Sequence, residues 1–277
     1  MIKKNMISSN TLQVLMSLLQ EIGVDEIISP SPHNRFKEKN VERKSKAPSS
    51  STSEPSSSAS SFAPPVSRKE LSEAACIAAQ SANSLEELRK ALEGFEGCSL
   101  KHTAINLVFG DGNPKARVML IGEAPGADED RQGLPFVGQS GQLLDKALSA
   151  IGLTRRNFYI TNIIPWRPPG NRQPTTQETE ACLPFVKRHI DLVSPDFLIL
   201  VGGTSAKALL GGRDGIMRSR GLWKDYRSEA GKKIKVISIF HPAYLLRSPG
   251  QKREFWLDLI KIKKSLLEAE VKLEDGA

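Results

Sequence analysis

The sequence predicts an α/β protein, a largely parallel sheet with helices on both faces. Short, largely apolar runs at 118–121, 158–164, 197–201 and 234–240 read as buried strands. Segments of helical period separate or follow them, at 142–151, 177–193, 204–210 and 252–269. Strands alternating with helices make βαβ crossovers and hence a mainly parallel sheet. Each run also ends at a glycine or a polar residue: Gly122, Asn162, Gly202 and His241. Parallel strands bring those ends to one edge, where α/β proteins bind ligands.

In chain order, Leu12, Leu15, Leu18, Leu19 and Ile22 recur at helical spacing over 11–22. Their apolar stripe would dock on the body or on a protein partner. From about 31 to 66 Lys, Ser and Pro dominate, and such a stretch buries too little to offset the entropy of ordering. The chain therefore divides into an N-terminal helical segment (1–30), a Ser/Pro/Lys-rich tether (31–68) and a main α/β domain (69–277). Helices follow over 71–92, with Ser81-Ala82-Asn83-Ser84 as break and cap and Glu86-Glu87 in the first turn. Residues 107–109 read as a first strand, closed by the turn residues of 110–114. After strand 118–121 come an acidic loop, helix 142–151 and strand 158–164. The Pro- and Gly-rich stretch 166–174 is too irregular for regular structure. Helix 177–193 turns Leu183, Phe185, Val186 and Ile190 inward, and strand 197–201 is capped by Gly202-Gly203. Helix 204–210 and strand 234–240 lead to the final helix 252–269.

A chain of 277 residues can bury one substantial core with an appendage. Its 39 Lys and Arg against 31 Asp and Glu leave a net charge of +8, which suits an anionic partner such as nucleic acid, though solubility alone also yields basic proteins. Three cysteines make no secreted disulfide framework, so a reducing cytoplasm is expected. No run approaches the roughly 18 apolar residues of a membrane span, and no small-residue cleavage site follows the start.

The chemistry concentrates in 118–141, VMLIGEAPGADEDRQGLPFVGQSG. Glu123, directly beyond a buried strand, is either a surface carboxylate or a functional one. Asn162 lies among apolar residues, where an amide must be hydrogen-bonded; it either ties loops together or reads a polar ring edge. Phe136 fills core or stacks on a ligand. His241 is structural or joins these groups at the sheet edge. Arg167, Arg172, Arg247, Lys252 and Arg253 would ring the same edge with positive charge, as phosphate contacts require. No Gly-x4-Gly-Lys-Ser/Thr loop, dinucleotide fingerprint or HExxH is present. Spacing alone thus reaches an α/β enzyme with a carboxylate, an amide and a histidine in one cleft, acting on DNA or RNA.

Several of these motifs occur together in one order: Gly122-Glu123-Ala124-Pro125-Gly126, Glu129-Asp130, Pro135-Phe136-Val137-Gly138, the Asn162 segment, Arg167-Pro168-Pro169-Gly170-Asn171-Arg172 and His241-Pro242-Ala243-Tyr244-Leu245-Leu246-Arg247. Over residues 94–262 the pattern resembles the family 4 (thermophile-type) uracil-DNA glycosylases. The resemblance implies a three-layer α/β/α sandwich around a four-stranded parallel sheet. It also implies hydrolysis of the N-glycosidic bond of deoxyuridine after base flipping, leaving an abasic site for base-excision repair. By the same resemblance Phe136 stacks on uracil and Asn162 reads its N3/O4 edge. His241 donates to O2, Glu123 acts on water and the sugar cation, Glu129 walls off thymine's methyl, and Gly122 belongs to the base pocket. Leu245 and Leu246 form the apolar wedge, and Arg167, Arg172 and Arg247 contact DNA. A glycosylase for hypoxanthine or xanthine and a non-catalytic DNA-binding module are the alternatives. No membrane partner is expected, and a monomer is.

One departure stands out. The family holds a [4Fe-4S] cluster on four cysteines, and the matching positions here are Phe95, Cys98, Trp166 and Cys182. A four-iron cluster needs four donors. Cys76 lies well upstream in a helical pattern, and His102 replaces nothing in the family's pattern. Cys98 and Cys182 are therefore read as remnants, with no metal and no cofactor expected.

Overall fold

A computed structural model describes residues 68–274 apart from residue 213. The expected helix at 11–22 and nearly all of the expected tether lie outside the described residues. Within them the chain runs as α1 (Arg68–Gln80), α2 (Leu85–Gly94), β1 (Asp111–Gly112), β2 (Val118–Gly122), α3 (Ala127–Gln132), α4 (Gln139–Ser149), β3 (Tyr159–Asn162), α5 (Thr176–Val193) and β4 (Phe197–Val201). It continues as α6 (Gly203–Leu210), α7 (Ile216–Ser219), β5 (Trp223–Arg227), β6 (Lys233–Ile239), α8 (Pro242–Arg247) and α9 (Lys252–Glu268).

The sheet has six strands in the order β1-β3-β2-β4-β6-β5. The inner four, β3, β2, β4 and β6, run parallel, whereas β1 and β5 are antiparallel edges. The sheet is thus mixed, not purely parallel. Neither edge strand carries the apolar run of the inner four. Strand β5, Trp-Lys-Asp-Tyr-Arg, buries only Tyr226 and exposes charge, as edge strands do to resist pairing with another chain. Strand β1 is two residues long.

Alternation along the inner strands feeds two cores. Met119, Ile121, Leu198 and Leu200 pack with Leu88, Phe185, Val186 and Ile190 of α2 and α5 on one face. Val118, Leu120, Ile199 and Val201 pack with Leu144, Leu148, Leu245, Leu259 and Ile262 of α4, α8 and α9 on the other. The helix starts follow local chemistry. Ser84 Oγ accepts from Glu87 N–H at 3.1 Å, and Thr175 and Glu178 form a reciprocal capping box.

The expected strand at 107–109 is absent. Val108 and Phe109 are buried, but Val108 N–H donates to the carbonyl of Pro165 and the Phe109 carbonyl accepts from Thr161 Oγ1. Their hydrophobicity reflects packing in an extended segment, not pairing in the sheet. The acidic loop also contains a short helix, α3, started by Gly126 and ended by Gly133 in the left-handed region.

The parallel register levels the strand ends that matter. Gly122 lies opposite Asn162, and Val201 opposite Ile239. Gly202 N–H then donates to the Ile239 carbonyl at 2.9 Å, so that Glu123, Asn162, Gly202 and His241 leave the sheet at one edge.

Candidate active site

At that edge opens a cleft of about 790 Å³ lined by Glu123, Phe136, Asn162, Thr204 and His241. The residues expected to meet there do meet. Asn162 ends β3, is 3 % exposed, and its Oδ1 has no hydrogen-bond partner. A buried acceptor without a partner costs about 1–3 kcal/mol, so it is poised for a donor that arrives from outside. Gly122 sits beside it. A Cβ there would lie 2.4 Å from Asn162 Oδ1 and 2.5 Å from the Phe136 ring, and only glycine leaves the amide and the ring this close to the strand end.

Phe136 is held by force from several sides. Its φ is +58°, a region that a non-glycine residue adopts at a cost and that clusters at functional sites. Arg155 fixes it, with Nη1 and Nη2 donating to the carbonyls of Pro135 and Phe136 while the guanidinium pairs with Asp111 and Asp145. The Phe136 backbone also rests on Gly141, where a Cβ would come within 1.8 Å of its carbonyl oxygen. Neither Arg155 nor Gly141 was legible as a site residue, since both act through the backbone of another.

Glu129 lines the cleft, and three loop amides hold its carboxylate. Oε1 accepts from Val137 N–H at 2.9 Å and Gly138 N–H at 2.8 Å, and Oε2 from Gly126 N–H at 3.0 Å. It braces the loop that carries Phe136. Asp130 does similar work next door, with Oδ1 accepting from Ile105 and Asn106 N–H.

His241 caps α8. Its Nδ1 accepts from Ala243 N–H at 3.1 Å, which puts the ring proton on Nε2. Burial, then the nearby Arg247 charge, push its pKa down to about 4, so the ring is neutral at pH 7. Glu123 is half-buried, and its Oε2 accepts from Thr204 Oγ1 at 2.6 Å.

The rim is basic, though unevenly so. Arg247 and Lys207 are exposed and line the cleft. Arg172 also lines it but is forked onto Glu178 at 2.9 and 2.6 Å. That pairing draws the Glu178 carboxyl down to about 2. Arg167 donates to Asn171 Oδ1 and stands outside the cleft lining. The leucine pair divides as well. Leu245 is fully buried in the core beneath α8 and cannot enter a base stack, whereas Leu246 is 43 % exposed.

The residues at the expected cluster positions do not fit four irons. Cys98 and Cys182 are buried within hydrogen-bonding reach of each other, and that contact together with burial holds the Cys182 thiol well above its usual range. Phe95, its ring 5.0 Å from that of Phe185, and Trp166 are buried in the same core. Among the described residues no three His, Cys, Asp or Glu side chains gather to hold a metal.

Comparison with known proteins fits this geometry. The model of the uracil DNA glycosylase superfamily matches residues 109–260, which include every strand-end residue of the cleft. The chain belongs to that superfamily. It is 40 % identical over 184 residues to the type-4 uracil-DNA glycosylase of Archaeoglobus fulgidus, covering 65 % of this chain and 92 % of that one. It is 42 % identical over 178 residues to the type-4 uracil-DNA glycosylase of Pyrobaculum aerophilum, covering 63 % and 91 %. The Thermotoga maritima type-4 enzyme is 36 % identical over 188 residues, covering 67 % and 96 %. The chain is thus a family-4-type member of the superfamily. No helix among the described residues is long and apolar enough to cross a membrane.

Proposed function

We propose that this cleft receives a flipped deoxyuridine and that the chain, as a uracil-DNA glycosylase, hydrolyses its N-glycosidic bond to release uracil and leave an abasic site. The observation that carries the reading is the buried, unpartnered Oδ1 of Asn162 beside the Phe136 ring. Uracil offers a donor at N3 and an acceptor at O4, the complement of the amide's oxygen and nitrogen. Cytosine offers an acceptor at N3 and a donor at N4, so the same amide opposes it. Phe136 supplies the stacking face for the extruded base.

As the glycosidic bond breaks, negative charge accumulates on the base and positive charge on the sugar. His241, neutral and carrying its proton on Nε2, donates to O2 and stabilises that developing charge. A pKa of about 4 keeps the ring in this neutral tautomer at neutral pH, with Nδ1 on the Ala243 amide and the Nε2 proton free to donate. Glu123 accepts from the attacking water and faces the oxocarbenium-like sugar, which its carboxylate stabilises. The water's oxygen ends on C1′, the proton it loses passes through the Glu123 carboxylate to solvent, and the uracil anion leaves to be protonated in solution. Leu246 fills the space the base vacates in the stack. Arg247 and Lys207 neutralise flanking phosphates, with Arg172 contributing through a guanidinium already shared with Glu178. Glu129 bears on selectivity by holding the Phe136 loop rigid against the larger face of thymine.

Asn162→Asp tests the reading. The substitution removes the amide donor to O4 and sets an anion beside a base that is becoming anionic. Single-turnover release of uracil should fall about 30- to 100-fold, a loss of roughly 2–3 kcal/mol of transition-state stabilisation, while DNA binding stays nearly unchanged. Near-normal uracil release would overturn it. Preferential release of hypoxanthine or xanthine by the unaltered chain would redirect it to another deaminated base.

A further inference from the structure

We propose that Thr204 is a positioning residue that fixes the Glu123 carboxylate for its work on water, which rests on the role given to Glu123 above. The two residues lie 81 positions apart in sequence and meet because β2 and β4 are parallel neighbours. Glu123 is the first residue beyond β2, and Thr204 lies in the first turn of α6, directly after β4. Thr204 Oγ1 donates to Glu123 Oε2 at 2.6 Å, and no other side chain among the described residues is seen to hydrogen-bond this carboxylate.

That arrangement is selective about which oxygen it occupies. A hydroxyl carries one proton, and here it is committed to Oε2, which leaves Oε1 to accept from a water in the cleft. The hydroxyl is itself well anchored, since a β-branched side chain in a helix has few χ1 choices. The turn that delivers it depends on Gly202, whose φ of +102° lies in the region that favours glycine. A Cβ at Gly202 would approach His241 Cβ to 3.2 Å, so the same turn packs directly against the histidine. A partly exposed glutamate without a tether samples several rotamers. One directed hydrogen bond selects the rotamer that faces the sugar.

The test is single-turnover uracil release by the full chain on a uracil-containing oligonucleotide, with DNA affinity measured alongside. Thr204→Val keeps the shape and removes the proton. The bond-breaking rate should fall about 10- to 30-fold, the usual scale for loosening one catalytic group, with affinity unchanged. Thr204→Ser restores the donor and should recover to within about threefold of the unaltered chain, while Thr204→Ala, equally small, should not. In a Glu123→Gln background Thr204→Val should cost nothing further, because the group it positions is already disabled. A Thr204→Val rate equal to that of the unaltered chain, equal rates for the Ser and Ala variants, or a full additional loss in the Glu123→Gln background would each overturn the proposal. Those outcomes leave Glu123 in its role provided Glu123→Gln alone is slow. A Glu123→Gln rate equal to that of the unaltered chain would instead overturn the role of Glu123, and the positioning with it.

Discussion

Replacing Glu129 by Gln separates bracing from base recognition more sharply than any truncation. The side chain keeps its shape, but one acceptor becomes a donor and the charge disappears. In the better of its two orientations the remaining oxygen stays on the Val137 and Gly138 amides, and the new NH2 faces the Gly126 N–H. One hydrogen bond is lost and two donors oppose each other. An orphaned buried donor costs about 1–3 kcal/mol, and losing charge assistance weakens each of the other two bonds by about 0.5–1 kcal/mol. The sum is about 2–5 kcal/mol, a large part of the stability of an ordinary domain. At roughly 2–4 °C per kcal/mol for a folded unit of this size, Tm should drop by about 4–20 °C in the absence of DNA. Loosening also reaches Phe136, so uracil release should slow about tenfold while thymine stays excluded. Thermal unfolding followed by single-turnover assays on uracil- and thymine-containing oligonucleotides measures both effects. An unchanged Tm together with new release of thymine would refute the bracing role and return Glu129 to direct contact with the base.

Arg247→Ala should weaken binding to uracil-bearing and plain DNA alike and lower the salt slope of binding by about one; an effect confined to uracil-bearing DNA would contradict a phosphate contact. His189 is buried against Tyr159 and Phe109, and desolvation, then the Arg89 charge, hold its pKa at about 3. Its folded value lies below the unfolded value near 6.5, so its contribution is complete above pH 6.5 and declines as pH falls toward 3. Between pH 7.5 and 5.5 it should account for a loss on the order of 1 kcal/mol of unfolding free energy, and denaturant titrations of His189→Gln should show a correspondingly shallower decline. Protein purified without oxygen should be colourless near 400 nm and hold no stoichiometric iron or acid-labile sulfide. Four irons per chain, lost together with the fold on chelation, would show that donors other than Cys98 and Cys182 had been overlooked.

Continuous apolar runs and what ends them are local properties, and from them the sequence alone determined the four inner strands, most of the helices flanking them and the shared edge of Glu123, Asn162 and His241. Motif order then pointed to the family. What it could not decide depends on partners remote in the chain. Strand β5 is charged because it is an edge, and only its antiparallel pairing with β6, from Trp223 opposite Ile237 to Arg227 opposite Lys233, distinguishes it from a loop. Residues 107–109 look like a strand because a buried extended segment and a sheet strand share the same hydrophobicity. Leu245 and Leu246 are chemically identical neighbours; the rotation of α8 against the core buries one and exposes the other. Glu129 reads as a free carboxylate until three loop amides converge on it, and Thr204 as an ordinary first-turn residue until β2 and β4 pair. In each case the deciding contact crosses between strands or folds a loop back on itself, so its energy resides in the tertiary arrangement and leaves no periodic trace in the sequence.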